Sequence, residues 1–258
     1  MKIAKGILVA AFLAICTNVN SSSPAENHPQ IRQKYHKNIE SLIEPLKTNG
    51  FNIKEYLSDP RFEIYQGISK KFIDSPENKI NDIKEYKKII GFDEKAKKIK
   101  KFVLENKIYL EESEKKYKIA KEITAAIIGV ESDFGVHKGK YNPFNAYVSM
   151  YVESYRKEFA KNQIKELLIF SRKNNIDVLS MKSSYAGAIG YGQFIPSSLN
   201  KWFIGNEIYN MKSNIMSVSN YLSDIMKEKN EIRLAIFAYN QNQLYVQAII
   251  DLAKEAKK

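Results

Sequence analysis

Apolar residues recur at helical spacing along most of this chain. Ile31, Tyr35, Ile39, Leu42, Ile43 and Leu46 share one face, and Asn49-Gly50 supplies a stop. The stretch 61–73 continues the pattern with Ile64, Ile68 and Phe72. Between 78 and 110 the chain is rich in lysine, yet Ile80, Ile83, Tyr86 and Ile90 form one apolar set and Ile99 and Val103 another. The spacing predicts a helix from near Ser113 carrying Ile119, Ile123, Ala126, Ile127 and Val130. Further helices are predicted over 145–173, 196–203, 213–228 and 231–254. No repeat of fixed period and no low-complexity tract interrupts the series, so the fold class is mainly α.

Composition agrees. The 258 residues are 44% hydrophobic and 12% aromatic, enough for one sizeable domain with a packed core. Only 11 Gly and 7 Pro argue against a turn-rich all-β protein. The net charge of +12 suggests an anionic partner or surface, or a solvated lysine coat. Arginine is scarce among the basic residues, which argues against a nucleic-acid partner.

The opening MKIAKGILVAAFLAICTNVN has Lys2 and Lys5 before an apolar run from Ile7 to Ile15. That run is too short to span a bilayer and reads as an export signal over 1–21, with cleavage after Ser21 preferred to Ala25. Residues 22–30 read as a linker, and 31–258 as the mature domain. The lone cysteine, Cys16, excludes an intramolecular disulfide. LAIC resembles a bacterial lipobox, but Ile15 is bulky for the position before a lipidated cysteine. A soluble periplasmic protein is therefore expected, with peripheral or lipid-anchored membrane association the disfavoured alternative.

Two stretches carry candidate chemistry. TAAIIGVESDFG (124–135) places one carboxylate, Glu131, at the end of an apolar helix. Burial and the negative end of the helix dipole would both raise its pKa and suit it to act as a general acid. The plainer alternative is a half-exposed helix-end glutamate paired with a lysine. Asp133, two residues on, would point to the opposite side of a helix, so no facing carboxylate pair forms. Ordinary glycosidases need such a pair. The second stretch, SYAGAIGYGQFIPSS (184–198), has no charge and is rich in small residues. It suits close helix packing, close approach of a ligand to the backbone, or both.

IIGVESDFG, then SYAGAIGYGQFIPSS, then AIFAYN (235–240), in this order and well separated, resemble the lytic transglycosylases of bacterial cell walls, in particular the branch of membrane-bound lytic murein transglycosylase B. The resemblance runs from about Tyr86 to Tyr245. It implies a lysozyme-like helical fold with a glycan cleft, divided into an N-terminal helical part (31–112) and a catalytic core (113–258). It also implies cleavage between N-acetylmuramic acid and N-acetylglucosamine with formation of 1,6-anhydromuramyl ends, by Glu131 alone. The motif matches assign Ser184 and Gln193 to the sugar or to orienting Glu131, with Gly187, Gly190 and Gly192 admitting sugar rings or helices. Tyr239 would be a stacking ring and Asn240 an amide donor, both facing the cleft. Tyr221 and Tyr86 match groove tyrosines, although both also fit apolar helix faces. Arg156 matches the first of a basic pair, with Lys157 in place of the second arginine. Phe194 reads as core, and Tyr191 is open between core and cleft. The partners implied are peptidoglycan glycan strands, bound by a monomer.

One departure concerns metal. The branch often carries an acidic calcium loop after the QFxPSS motif, but KWFIGNEIYNMKSNIM (201–216) contains a single acid, Glu207. A calcium site takes about six or more oxygens, so no calcium and no other cofactor is expected. His28, His36 and His137 are too far apart for a zinc spacing and read as surface residues. The alternatives to a lytic transglycosylase are a hydrolytic muramidase, which lacks its second acid here, and a non-catalytic peptidoglycan-binding protein.

Overall fold

A computed structural model of the protein describes residues 29–258, so the export signal, Cys16, His28 and linker positions 22–28 lie outside the described residues. Helix α1 runs Pro29–Thr48 and is followed by a turn at Asn49-Gly50, as the spacing predicts, although it begins within the expected linker. Short helices α2 (Lys54–Ser58) and α3 (Ile68–Ile73) follow. Residues 61–67 are not helical, contrary to the predicted continuous stretch. Their backbone is held by α8 (Pro143–Val152) and the residue after it: Tyr65 N donates to Ser149 Oγ at 2.8 Å, and Gly67 N to the Glu153 carboxylate at 2.6 Å.

The lysine-rich segment folds into α4 (Ile83–Ile89), α5 (Phe92–Glu105) and α6 (Lys107–Tyr117). Asp82 caps α4 by accepting from Lys84 N and Glu85 N, a contribution of about 1 kcal/mol. The helix expected from Ser113 is two helices. Lys118 adopts a left-handed conformation after α6, and α7 (Lys121–Ser132) starts afresh. The 145–173 helix likewise divides into α8 and α9 (Lys157–Asn174), with Ser154 and Arg156 at positive φ between them. Helices α10 (Pro196–Trp202) and α11 (Met211–Lys229) match expectation. The last predicted helix breaks at Asn240–Asn242 into α12 (Ile232–Tyr239) and α13 (Gln243–Glu255).

The described residues contain isolated β-bridges but no named strand. One hydrophobic cluster extends from Leu42 to Ala253. Within it α13 packs on α7 and α5, α11 on α6, α7 and α12, and α8 on α9 and α1. Helix α7 is therefore central. Every residue from Thr124 to Ser132 is buried, which is why its sequence is apolar all round up to the glutamate.

Candidate active site

Glu131 is the penultimate residue of α7 and 6% exposed. Its Oε1 accepts a 2.7 Å hydrogen bond from the Tyr245 hydroxyl. Tyr245 is fully buried in the first turn of α13, where Asn242 Oδ1 accepts from the amides of Leu244 and Tyr245. The phenols of Tyr245 and Tyr239 are pushed well above the ordinary range, by burial first and then by the negative charge of Glu131. Tyr86, buried on α4, lies close enough to add to the effect on Tyr245. This is the buried setting expected of Glu131, not a half-exposed helix end.

The chain leaves α7 through three consecutive left-handed residues, Asp133, Phe134 and Gly135, at φ of 49°, 60° and 90°. The Asp133 carboxylate turns to α5, where it accepts from Lys98 Nζ at 2.7 Å and lies 3.6 Å from Lys95 Nζ. Burial works against its ionisation, but the Lys98 hydrogen bond and the two ammonium charges hold its pKa below the ordinary value. Phe134 folds back over Gly129, where an added Cβ would lie 2.6 Å from its ring. Asp133 thus faces away from Glu131 as expected, through a left-handed turn and not through helical spacing.

Residues 183–194 form a folded loop, not a helix. Ser183 exchanges hydrogen bonds with Tyr141 at 2.7 and 3.1 Å, Ser184 N donates to Ala188 O, and Ile189 and Phe194 bond each other in both directions at 2.9 Å. Ser184 Oγ accepts from Ala188 N at 3.2 Å, and Gln193 Nε2 donates to Gly190 O at 2.8 Å. Both side chains are buried and brace the loop. Asn214 of α11 holds it from behind. Its Oδ1 accepts from Tyr191 N and Gly192 N, while its Nδ2 donates to Ile208 O and Asn210 O. The glycines serve close packing: the space beside Gly187 holds the Tyr147 ring, that beside Gly190 the Asn214 amide, and that beside Gly192 Phe194, Val218 and the Tyr239 hydroxyl.

The other expected site residues divide. Tyr239 is 1% exposed, donates its hydroxyl to Gly192 O and packs edge-on against Phe194 and Tyr221. It is a buried packing ring beside Glu131, not an open stacking ring. Tyr221 bonds Ala238 O at 2.7 Å and meets Trp202, a core position. Phe194 is core as expected, and Tyr191 is 8% exposed. Asn240 ends α12 and is 6% exposed. Arg156 and Lys157 stand over the Phe159 and Tyr151 rings at the start of α9, and the described contacts do not join them to Glu131. Tyr245 was missed by sequence reasoning, which used it only as the limit of the resemblance. Its one signal is a phenol on the buried face of α13, a group that needs a partner when buried. An open cavity of about 460 Å³ beside the α10–α11 loop is lined by Ile176, Met181, Ile208 and Tyr209 among others, and includes neither Glu131 nor its partners.

The profile of the family described as "Transglycosylase SLT domain" matches residues 34–231. Membrane-bound lytic murein transglycosylase B of Escherichia coli K12 is 34% identical over 112 residues, 41% of this chain and 31% of that protein, so the match spans about a third of the relative's length. Lytic transglycosylase SLT35 of E. coli, in complex with calcium, superposes with a TM-score of 0.72 at 18% identity, covering 87% of this chain and 92% of its own. SltB3 of Pseudomonas aeruginosa, in complex with NAG-anhNAM-pentapeptide, gives 0.76 at 16% identity, covering 87% and 80%. At these identities the two structures establish the fold. The loop after QFIPSS, where the family resemblance would put a calcium ion, lacks the donors for one. The α10–α11 loop offers Glu207 alone as carboxylate, and the Asn210 and Asn214 amide oxygens already accept backbone N–H groups. Among the described residues no group of three or more His, Cys, Asp or Glu is placed to hold a metal ion. The mainly helical fold, the three ordered motifs and a family match covering most of the chain agree: this protein belongs to the transglycosylase SLT domain family.

Proposed function

We propose that the protein is a peptidoglycan lytic transglycosylase that cleaves the β-1,4 bond between N-acetylmuramic acid and N-acetylglucosamine. The observation that carries this reading is the single buried carboxyl of Glu131, hydrogen-bonded to Tyr245, with the nearest acid in sequence turned away onto two lysines. The Glu131 carboxyl gives its proton to the glycosidic oxygen as the bond to the muramyl C1 breaks. The resulting carboxylate takes the proton of the muramyl C6 hydroxyl as that oxygen bonds to C1. The product is a 1,6-anhydro ring, with no water consumed and the glutamate returned to its acid form. The substrate's own hydroxyl replaces the second carboxylate, at the high effective molarity of an intramolecular attack.

In this reading Tyr245 holds the carboxyl and supports its ionised form between the two steps. Ser184 and Gln193 shape the cleft wall, and Asn240 is the amide placed for the sugar. Tyr86, Tyr221 and Tyr239 build the walls behind the glutamate, and Arg156 offers a charge for an acidic substituent. The division into a helical part (31–112) and a catalytic core (113–258), action as a monomer, and export to the periplasm belong to the same proposal. The names of the relatives, lytic murein transglycosylase B and SltB3 bound to an anhydromuramyl fragment, support it. A hydrolytic muramidase would need a second acid to activate water, and Asp133 is committed to Lys95 and Lys98. Mass spectrometry of purified sacculi digested with the protein tests the reading. Anhydromuramyl ends are expected, and new ends that all carry added water would overturn it.

A further inference from the structure

Tyr185 is the one residue of 183–196 that is not buried. Its ring leaves the motif loop and meets two others edge-on, Phe72 of α3 at 5.1 Å and Tyr141 at 6.4 Å. Phe72 in turn stacks on Tyr155 at 4.9 Å. The Lys71 ammonium lies 4.9 Å from the centre of the Tyr141 ring and bonds its hydroxyl, and the next residue but one, Ile73, is 64% exposed. Packing alone would bury these groups, yet Tyr141, Tyr155 and Tyr185 remain half-exposed and Lys71 exposed.

The shelf is rigid. The Glu153 carboxylate accepts from Gly67 N, Ser69 N and Ser69 Oγ at 2.6–2.9 Å, which fixes the start of α3 against the core. It is continuous with the loop that contains Ser184, since Tyr141 pairs with Ser183 through the backbone. Lys140 and Lys182, next in sequence to those two residues, are exposed. Half-exposed rings with an apolar neighbour suit the C–H faces of a pyranose. An exposed ammonium held in place by a phenol hydroxyl beside these rings suits a carboxylate.

The geometry points to a second binding platform, built by α3 and the Tyr141 and Tyr185 loops, that takes a sugar ring of a glycan strand together with a carboxylate-bearing substituent of that strand. The platform rests on the glycan-cleaving reading for its ligand but not on the chemistry at Glu131. The test is binding of the full chain carrying Glu131→Gln to purified glycan strands whose carboxylates are free or have been converted to amides with a carbodiimide and ammonia. Tyr141→Leu should weaken binding to both kinds of strand about tenfold. Lys71→Ala should weaken binding to strands with free carboxylates about tenfold and leave amidated strands unaffected, and Lys71→Arg should restore it. Lys71 is exposed, so its variants read the platform even if Tyr141→Leu folds poorly. Unchanged binding in Lys71→Ala, or an equal loss on both kinds of strand, would overturn the proposal. Product analysis of the wild-type protein decides the cleavage reading separately: if no anhydro ends form while Lys71→Ala still loses strands with free carboxylates, the platform stands and the reaction assigned to Glu131 falls.

Discussion

Tyr245 and Glu131, 114 residues apart in the chain, meet in a 2.7 Å hydrogen bond at the junction of α13 and α7. The phenol donates to the carboxyl and fixes its orientation. Tyr245→Phe removes that donor and should lower kcat about tenfold as the carboxyl loses its anchor, with KM little changed. A wild-type kcat in this variant would show that the hydroxyl does not hold the acid.

Glu131→Gln keeps size and polarity but can neither give nor take the proton. Activity on sacculi should fall by about 10²–10⁴-fold or more, because one group serves both steps. The melting temperature should hold or rise slightly, since a carboxyl is removed from a buried site. Asp133→Asn should retain most of its activity. Retained activity in Glu131→Gln together with its loss in Asp133→Asn would reverse the assignment.

Asp133 has a different expected phenotype, in stability. Its pKa is lowered in the folded state from the ordinary 3.8, so its ion pairs stabilise the protein above that pH and are lost as pH falls through the lower folded value. The wild type should therefore be more stable than Asp133→Asn at neutral pH, and the gap should close in acid, below the ordinary aspartate range. Melting temperatures of the two proteins from pH 7 to pH 2 check this. A gap independent of pH would mean that the carboxylate's charge is not what matters.

Gly187 has φ of 77°, and an added Cβ would lie 2.4 Å from the ring of Tyr147, which is fully buried. Gly187→Ala combines left-handed strain with overpacking and should cost at least about 2 kcal/mol by denaturant titration. A cost below about 0.5 kcal/mol would show that the loop can shift away from α8.

EDTA should change neither the melting temperature nor the activity, since Glu207 is the only carboxylate in the α10–α11 loop. A fall in melting temperature reversed by calcium would reveal a site the sequence does not suggest.

The faces of the helices were legible, and their breaks were not. Ala126, Ile127 and Val130 are buried as the spacing predicts, but Ile119 precedes the helix that carries them, because Lys118 makes its left-handed turn with neither glycine nor proline to signal it. Ser154 and Arg156 divide α8 from α9 in the same silent way. Glu131 was legible from the three ordered motifs, since the apolar helix alone left a half-exposed helix-end glutamate as the plainer alternative. Its hydrogen-bond partner was not, because that contact depends on how α13 crosses α7. Tyr239 is buried where an open stacking ring is expected for a related reason: motif spacing locates a ring near the cleft but does not say whether its face is covered.

Asn214 is fully buried and uses both lone pairs of its oxygen and both protons of its amide, on four separate backbone groups. Asn214→Asp would change its shape hardly at all. It would nevertheless set an oxygen with no proton to give against the carbonyls of Ile208 and Asn210, inside a site that water cannot reach to compensate. Exchange of this one nitrogen for oxygen would therefore loosen the loop behind Gly192, and with it the carbonyl on which Tyr239 rests beside Glu131. The surroundings of Glu131 would change with every atom of the glutamate itself intact.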